Sequence, residues 1–134
     1  MTSLNLIVAE DDLAMQRWLK TVLTRMGATV RMVSSGWELL SLLADAHDAT
    51  DLVISDVRMP MPGGIDALAM ARTAGVTVPF VLITAFPDDQ LREAAQTLRA
   101  AVLDKPFLAH ELVARIEEVM LGATPRRAAQ APSS

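Results

Sequence analysis

Four stations along this 134-residue chain carry side chains able to do chemistry: the acidic run Glu10-Asp11-Asp12, then Asp56, Thr84 and Lys105. Carboxylates gathered in one place repel one another and hold their protons more tightly unless a cation sits among them. A hard divalent ion suits that need, because Mg²⁺ takes oxygen ligands, keeps several waters and typically uses one or two carboxylates alongside phosphate oxygens. A carboxylate held on a rigid element can also act as a nucleophile and form an acyl phosphate. Asp56 is the candidate for that role, with the Thr84 hydroxyl and the Lys105 ammonium available to phosphoryl oxygens. Each group also has an ordinary reading. Asp12 suits a helix N-cap, Lys105 an exposed lysine and Thr84 a strand former. What favours the chemical reading is their joint placement.

That placement follows from the elements that must carry them. Leu6-Ile7-Val8-Ala9, Leu52-Val53-Ile54-Ser55, Phe80 to Ile83 and Ala101 to Leu103 are short apolar runs, and each ends at one of the four stations. Thr29 to Val33 alternates with period two and is a further strand. Between the strands, apolar residues recur at helical spacing. The sets are Met15, Trp18, Leu19, Val22, Leu23 and Met26; Leu39, Leu40, Leu42 and Leu43; Ile65, Leu68 and Met70; Leu91, Ala94, Ala95 and Leu98; and finally Leu108, Leu112, Ile116, Val119 and Met120. Gly27 ends the first helix, and Asp88 or Asp89 caps the fourth. Five successive βα units imply an α/β, doubly wound parallel sheet with helices on both faces. In such sheets ligands bind beyond the carboxyl ends of the strands, where all four stations fall.

Composition narrows the class. An apolar fraction of 51% with 21% charged residues excludes disorder for the chain as a whole. No apolar run approaches the roughly 18 residues of a membrane span, and the first residues lack the pattern of a signal peptide, so a cytoplasmic protein is expected. Cysteine is absent, which removes disulfides, thiolate nucleophiles and cysteine zinc sites. A net charge of −4 argues against direct nucleic-acid binding. After Gly122 the apolar period stops, and residues 123–134 read as a flexible tail or the start of a linker beyond a domain spanning residues 1–122. His47 and His110 read as surface residues, and Arg126-Arg127 as a short charge pair without a nucleic-acid role.

From Leu4 to Leu121 the chain resembles the receiver domain of two-component response regulators. Asp56-Val57-Arg58-Met59-Pro60 with Gly64 is similar to that family's D-x-x-M-P-x-x-x-G signature, and Lys105-Pro106-Phe107 matches its lysine turn. The family's acidic pair resembles Glu10 and Asp11, its phosphoacceptor Asp56, and its hydroxyl switch residue Thr84. The resemblance implies a flavodoxin-like (βα)5 three-layer sandwich with strand order 2-1-3-4-5. It implies Mg²⁺ held by Asp11, Asp56, the backbone carbonyl of Arg58 and water, with Glu10 acting through water. Phosphoryl transfer to Asp56 comes from the phosphohistidine of a sensor histidine kinase or phosphotransfer protein. Lys105 then pairs with the phosphoryl group and Thr84 moves inward, biasing the loop after strand four and the fourth-helix face. Hydrolysis by water resets the switch. An output domain or effector and a homodimer formed on phosphorylation belong to the same expectation.

One position departs from the pattern. The family usually carries Tyr or Phe three residues before the lysine; here Val102 stands there, and the chain has no Tyr. An aliphatic side chain cannot swing a ring between inward and outward positions, which leaves two expectations: activation read through displacement of the loop and helix four alone, or a small conformational change. Ala85 is small, as the family prefers, leaving room for the donor. Arg58 and Phe86, two residues after Asp56 and Thr84, are expected to flank the site and slow hydrolysis. Two other readings stay open: a receiver-like binding module that works without phosphorylation, and a Mg²⁺-dependent phosphohydrolase. Against the latter, Arg58 occupies the place where such enzymes carry a second acid, and arginine cannot serve as one at neutral pH.

Overall fold

The computed structural model describes residues 3–122; the expected tail, residues 123–134, lies outside the described residues. The elements alternate as expected: β1 (Asn5–Ala9), α1 (Leu13–Arg25), β2 (Thr29–Val33), α2 (Gly36–Ala46), a single 3-10 turn (His47–Ala49), β3 (Leu52–Asp56), α3 (Gly64–Thr73), β4 (Phe80–Thr84), α4 (Asp89–Thr97), β5 (Ala100–Asp104) and α5 (Ala109–Gly122). All strand pairings are parallel, and the order across the sheet is β2-β1-β3-β4-β5. The order reverses direction between β1 and β3, and in such sheets the carboxyl ends of the strands at that switch point are where ligands bind.

Local chemistry sets the helix ends. Asp12, Ser35 and Asp88 each accept a backbone N–H of the first turn on a side-chain oxygen. Asp12 is thus a cap, and Asp88 rather than Asp89 caps α4. Gly27, at φ +94°, takes the left-handed conformation just beyond α1 that a Cβ would strain.

The sheet separates two apolar layers. Leu6, Val8, Leu52, Ile54, Val81 and Ile83 face Leu19 and Leu23 of α1 and Leu112 and Ile116 of α5. Ile7, Ala9, Val53, Phe80 and Leu82 face Leu39 and Leu43 of α2, Ala67, Leu68 and Ala71 of α3, and Ala95 of α4. The arrangement is the three-layer, flavodoxin-like sandwich. The apolar pattern overstates burial at a few places: Met70 and Leu108 are exposed, and of the four positions expected to seat α4 only Ala95 is fully buried. Among the described residues, no helix is long and apolar enough to cross a membrane.

Candidate functional site

Asp56 is the last residue of β3, whose five residues are all buried, and is itself 6% exposed. Its two oxygens have separate partners. Oδ1 accepts the backbone N–H of Arg58 at 2.8 Å, and Oδ2 accepts from the Lys105 ammonium at 2.5 Å. Glu10, directly after β1, is 1% exposed. Its Oε2 accepts the backbone N–H of Asp12 at 3.0 Å, whereas Oε1 lies 3.6 Å from the Lys105 nitrogen and has no hydrogen-bond partner. One ammonium is therefore shared by two buried carboxylates.

The charge count shows in the proton affinities. Burial, with a smaller contribution from neighbouring Asp56, pushes the Glu10 carboxyl up to about 7, against the pull of the Asp12 N–H and Lys105. Burial works against the Lys105 ammonium, but Asp56 and Glu10 outweigh it and hold its pKa above the ordinary lysine value. With both acids ionised the site is one positive charge short, and a buried Glu10 oxygen has no donor. Glu10, Asp56, Asp11 and the Arg58 carbonyl offer only hard oxygen donors, so this set fits a small divalent cation. Asp11 and Arg58 are exposed at the rim. Among the described residues no group of three or more His, Cys, Asp or Glu side chains is placed to hold a metal ion by itself.

Thr84 ends β4 and is 2% exposed. Its carbonyl accepts the Lys105 N–H at 2.7 Å, which fixes the lysine turn to β4, and its Oγ1 accepts the Phe86 N–H at 3.0 Å. The Arg58 guanidinium lies 4.3 Å from the centroid of the Phe86 ring, joining the loops after β3 and β4. Gly64 opens α3 where an added Cβ would come within 2.4 Å of the Asp56 carbonyl oxygen, so the helix can approach the end of β3 only with glycine there.

The family described as the response regulator receiver domain matches residues 6–117. The chain belongs to that family. Among curated relatives, this receiver domain is 32% identical over 123 residues to the response regulator MprA of Mycolicibacterium vanbaalenii, covering 90% of the chain and 52% of that protein. It is 30% identical over 131 residues to MprA of Mycobacterium tuberculosis, covering 96% and 55%. The chain thus spans about half the length of these relatives. Among solved structures, the non-phosphorylated HemR receiver domain of Leptospira biflexa matches with a TM-score of 0.83 at 28% identity, covering 92% of this chain and 99% of that one. The chemotaxis protein CheY4 of Vibrio cholerae shares the fold at 22% identity, with a TM-score of 0.80 over 88% and 99% of the two chains. Receiver domains of two-component systems generally use Mg²⁺ and act between a histidine kinase and an output.

Of the residues singled out in the sequence, Glu10, Asp56 and Lys105 meet side chain to side chain. Thr84 joins them through the backbone of Lys105. Val102 is half-buried and packs against the α2–α3 layer, while its carbonyl accepts from Arg115 of α5. His110 is exposed, and His47 bonds the Leu43 carbonyl away from the strand ends. One residue escaped the sequence reading. Arg72, in the last turn of α3, donates to the carbonyls of Val76, Val78 and Leu98 and lies over the Phe80 ring, tying the C-terminal end of α4 to the entry of β4. Its only signal in the sequence is a basic residue in the last turn of a helix, which has too many other uses to be diagnostic.

Proposed function

We propose that this domain is a phosphorylation-controlled switch in which Asp56 accepts a phosphoryl group from the phosphohistidine of a sensor histidine kinase or phosphotransfer protein. One Asp56 oxygen bonds to phosphorus as the P–N bond breaks, and the imidazole nitrogen leaves with the electron pair. The observation that carries this reading is the Asp56 carboxylate, buried at a strand end with the Lys105 ammonium on one oxygen and the Arg58 N–H on the other. These two donors orient the nucleophile before the donor arrives. Lys105 follows the charge onto the phosphoryl oxygens, and the Thr84 hydroxyl turns toward them.

Glu10, Asp11, Asp56 and the Arg58 carbonyl would hold Mg²⁺, the cofactor of this reading; bound there, it neutralises charge that builds on the phosphoryl oxygens during transfer. The orphaned Glu10 oxygen supports that assignment. Arg58 and Phe86 flank Asp56, and after transfer the Arg58 side chain beside the acyl phosphate slows attack by water. Arg58 offers no acid for turnover of external substrates, so the protein works by cycling its own aspartyl phosphate. Residues 1–122 form the receiver unit, followed by a tail or linker at 123–134. The switch operates in the cytoplasm on an output domain or effector, with dimerisation on phosphorylation as one route and no direct contact with nucleic acid or membrane.

Val102 favours a second reading, a protein-binding module whose state does not depend on phosphate. Intact mass after incubation with Mg²⁺ and acetyl phosphate separates the two. A single phosphoryl adduct that needs the metal and disappears in Asp56→Asn is the expected result. A folded protein that takes no adduct from acetyl phosphate would leave the binding module as the better account.

A further inference from the structure

We propose that the Arg58–Phe86 stack is a latch that opens when Asp56 is phosphorylated, so that Phe86 becomes the moving aromatic of a receiver that has none at position 102. The proposal rests on the phosphoacceptor reading above and adds to it the route by which the site signals outward.

Both halves of the stack are wired to the acceptor site. Arg58 donates its backbone N–H to Asp56 Oδ1, and Phe86 donates its own to Thr84 Oγ1. The guanidinium covers the ring at 4.3 Å, and Phe86 remains 61% exposed. An exposed cation–π contact of this kind is weak. A phosphoryl group on Asp56 would offer the same guanidinium charge-assisted, two-pronged hydrogen bonds, which are stronger. The group would also draw the Thr84 hydroxyl, whose oxygen is the acceptor for the Phe86 N–H. One event therefore removes both restraints on Phe86. The other two phenylalanines cannot serve: Phe80 is 1% exposed in the core, and Phe107 packs against Trp18 at 5.6 Å between centroids.

Arg58 is thus a positioning residue, and Phe86 is the element it positions. The chain has three phenylalanines, so uniform 4-fluorophenylalanine labelling gives three fluorine resonances. Those of Phe86 and Phe107 are assigned with Phe86→Leu and Phe107→Leu, leaving Phe80. Spectra are taken before and after acetyl phosphate with Mg²⁺, with intact mass measured on the same sample. In the wild-type chain the Phe86 resonance should move on phosphorylation, with Phe80 stationary as a check on the fold. In Arg58→Ala it should already lie near its phosphorylated position and move less than half as far. Arg58→Lys, which keeps the charge but stacks less well, should fall between. A full adduct with an unmoved Phe86 resonance, or a movement in Arg58→Ala as large as in the wild type, overturns the latch and leaves the phosphoacceptor reading intact. No adduct in the mass spectrum overturns that reading, and the latch with it.

Discussion

The two halves of the carboxyl edge are built differently. On one side, β1 and β3 carry Glu10 and Asp56, every residue of β3 is buried, and Gly64 lets α3 press against the backbone of Asp56. On the other side β5 is mostly half-buried, and α4 rests on the single fully buried residue Ala95. Lys105 bridges the halves by its ion pairs to Asp56 and Glu10, the Val57 N–H reaches the Ile83 carbonyl, and the Arg58–Phe86 contact joins the loops after β3 and β4. A nucleophile has to be held within a fraction of an ångström of its working geometry, which calls for a packed support. An element that reports a change has to shift at a cost of only a few kcal/mol, which calls for a shallow one. On the proposed function, the sheet provides both by setting the phosphoacceptor at its centre and the reporting helix near its edge.

The comparison can be broken most directly by cavities. Ile54→Ala, two residues before Asp56 and 0% exposed, should cost about 2–5 kcal/mol in urea unfolding. Leu91→Ala in the half-buried seat of α4 should cost less than half as much; equal losses would mean that the two sides are packed alike. Next in size is the charge imbalance. Glu10 goes from 4.5 to about 7, so between these values the folded chain binds more protons than the unfolded one. Stability should therefore fall as pH rises from about 5 to about 8 in chelator, by at most about 3 kcal/mol from this group. Glu10→Gln should flatten that slope, and Mg²⁺ should raise the melting temperature more at pH 8 than at pH 5.5. A slope unchanged in Glu10→Gln would place the imbalance elsewhere.

Much of this was legible in the sequence because the relevant signals are local. Apolar runs closed by charged or hydroxyl residues marked the strands, Asp12 and Asp88 marked helix starts, and the spacing of Asp56, Gly64 and Lys105 matched a known pattern. What escaped depends on contacts distant along the chain. In the run Glu10-Asp11-Asp12 the cap at Asp12 was legible, but not that folding buries Glu10 at 1% exposure and leaves Asp11 at the rim. Periodicity gave α4 the same weight as its neighbours, yet it lies near the sheet's edge, where little can cover it. Arg72 reads as a surface cation until its carbonyl partner 26 residues away is known.

Arg72 also supplies the finest test of the comparison. Its guanidinium holds the carbonyls of Leu98, Val76 and Val78 at 2.8, 3.0 and 2.8 Å, so the C-terminal end of α4 is pinned. The other end, at Asp88, follows the loop that carries Phe86. Between α4 and β5 the Arg92–Asp104 ion pair is exposed, a class of contact worth at most about 1 kcal/mol. On the proposed switch, a helix fixed at one end and loosely tied along its length is the element expected to pivot. Arg72→Ala should cost about 1–3 kcal/mol, since half-buried carbonyls lose their donors. Hydrogen exchange should show the loss concentrated in α4 and β5, with β1 and β3 amides keeping their protection. The rate at which acetyl phosphate modifies Asp56 should stay within about twofold of wild type, a change worth under roughly half a kcal/mol. If phosphorylation slowed in step with the loss of α4 protection, the acceptor would depend on the edge it is meant to drive, and the division of labour between the two halves would be wrong.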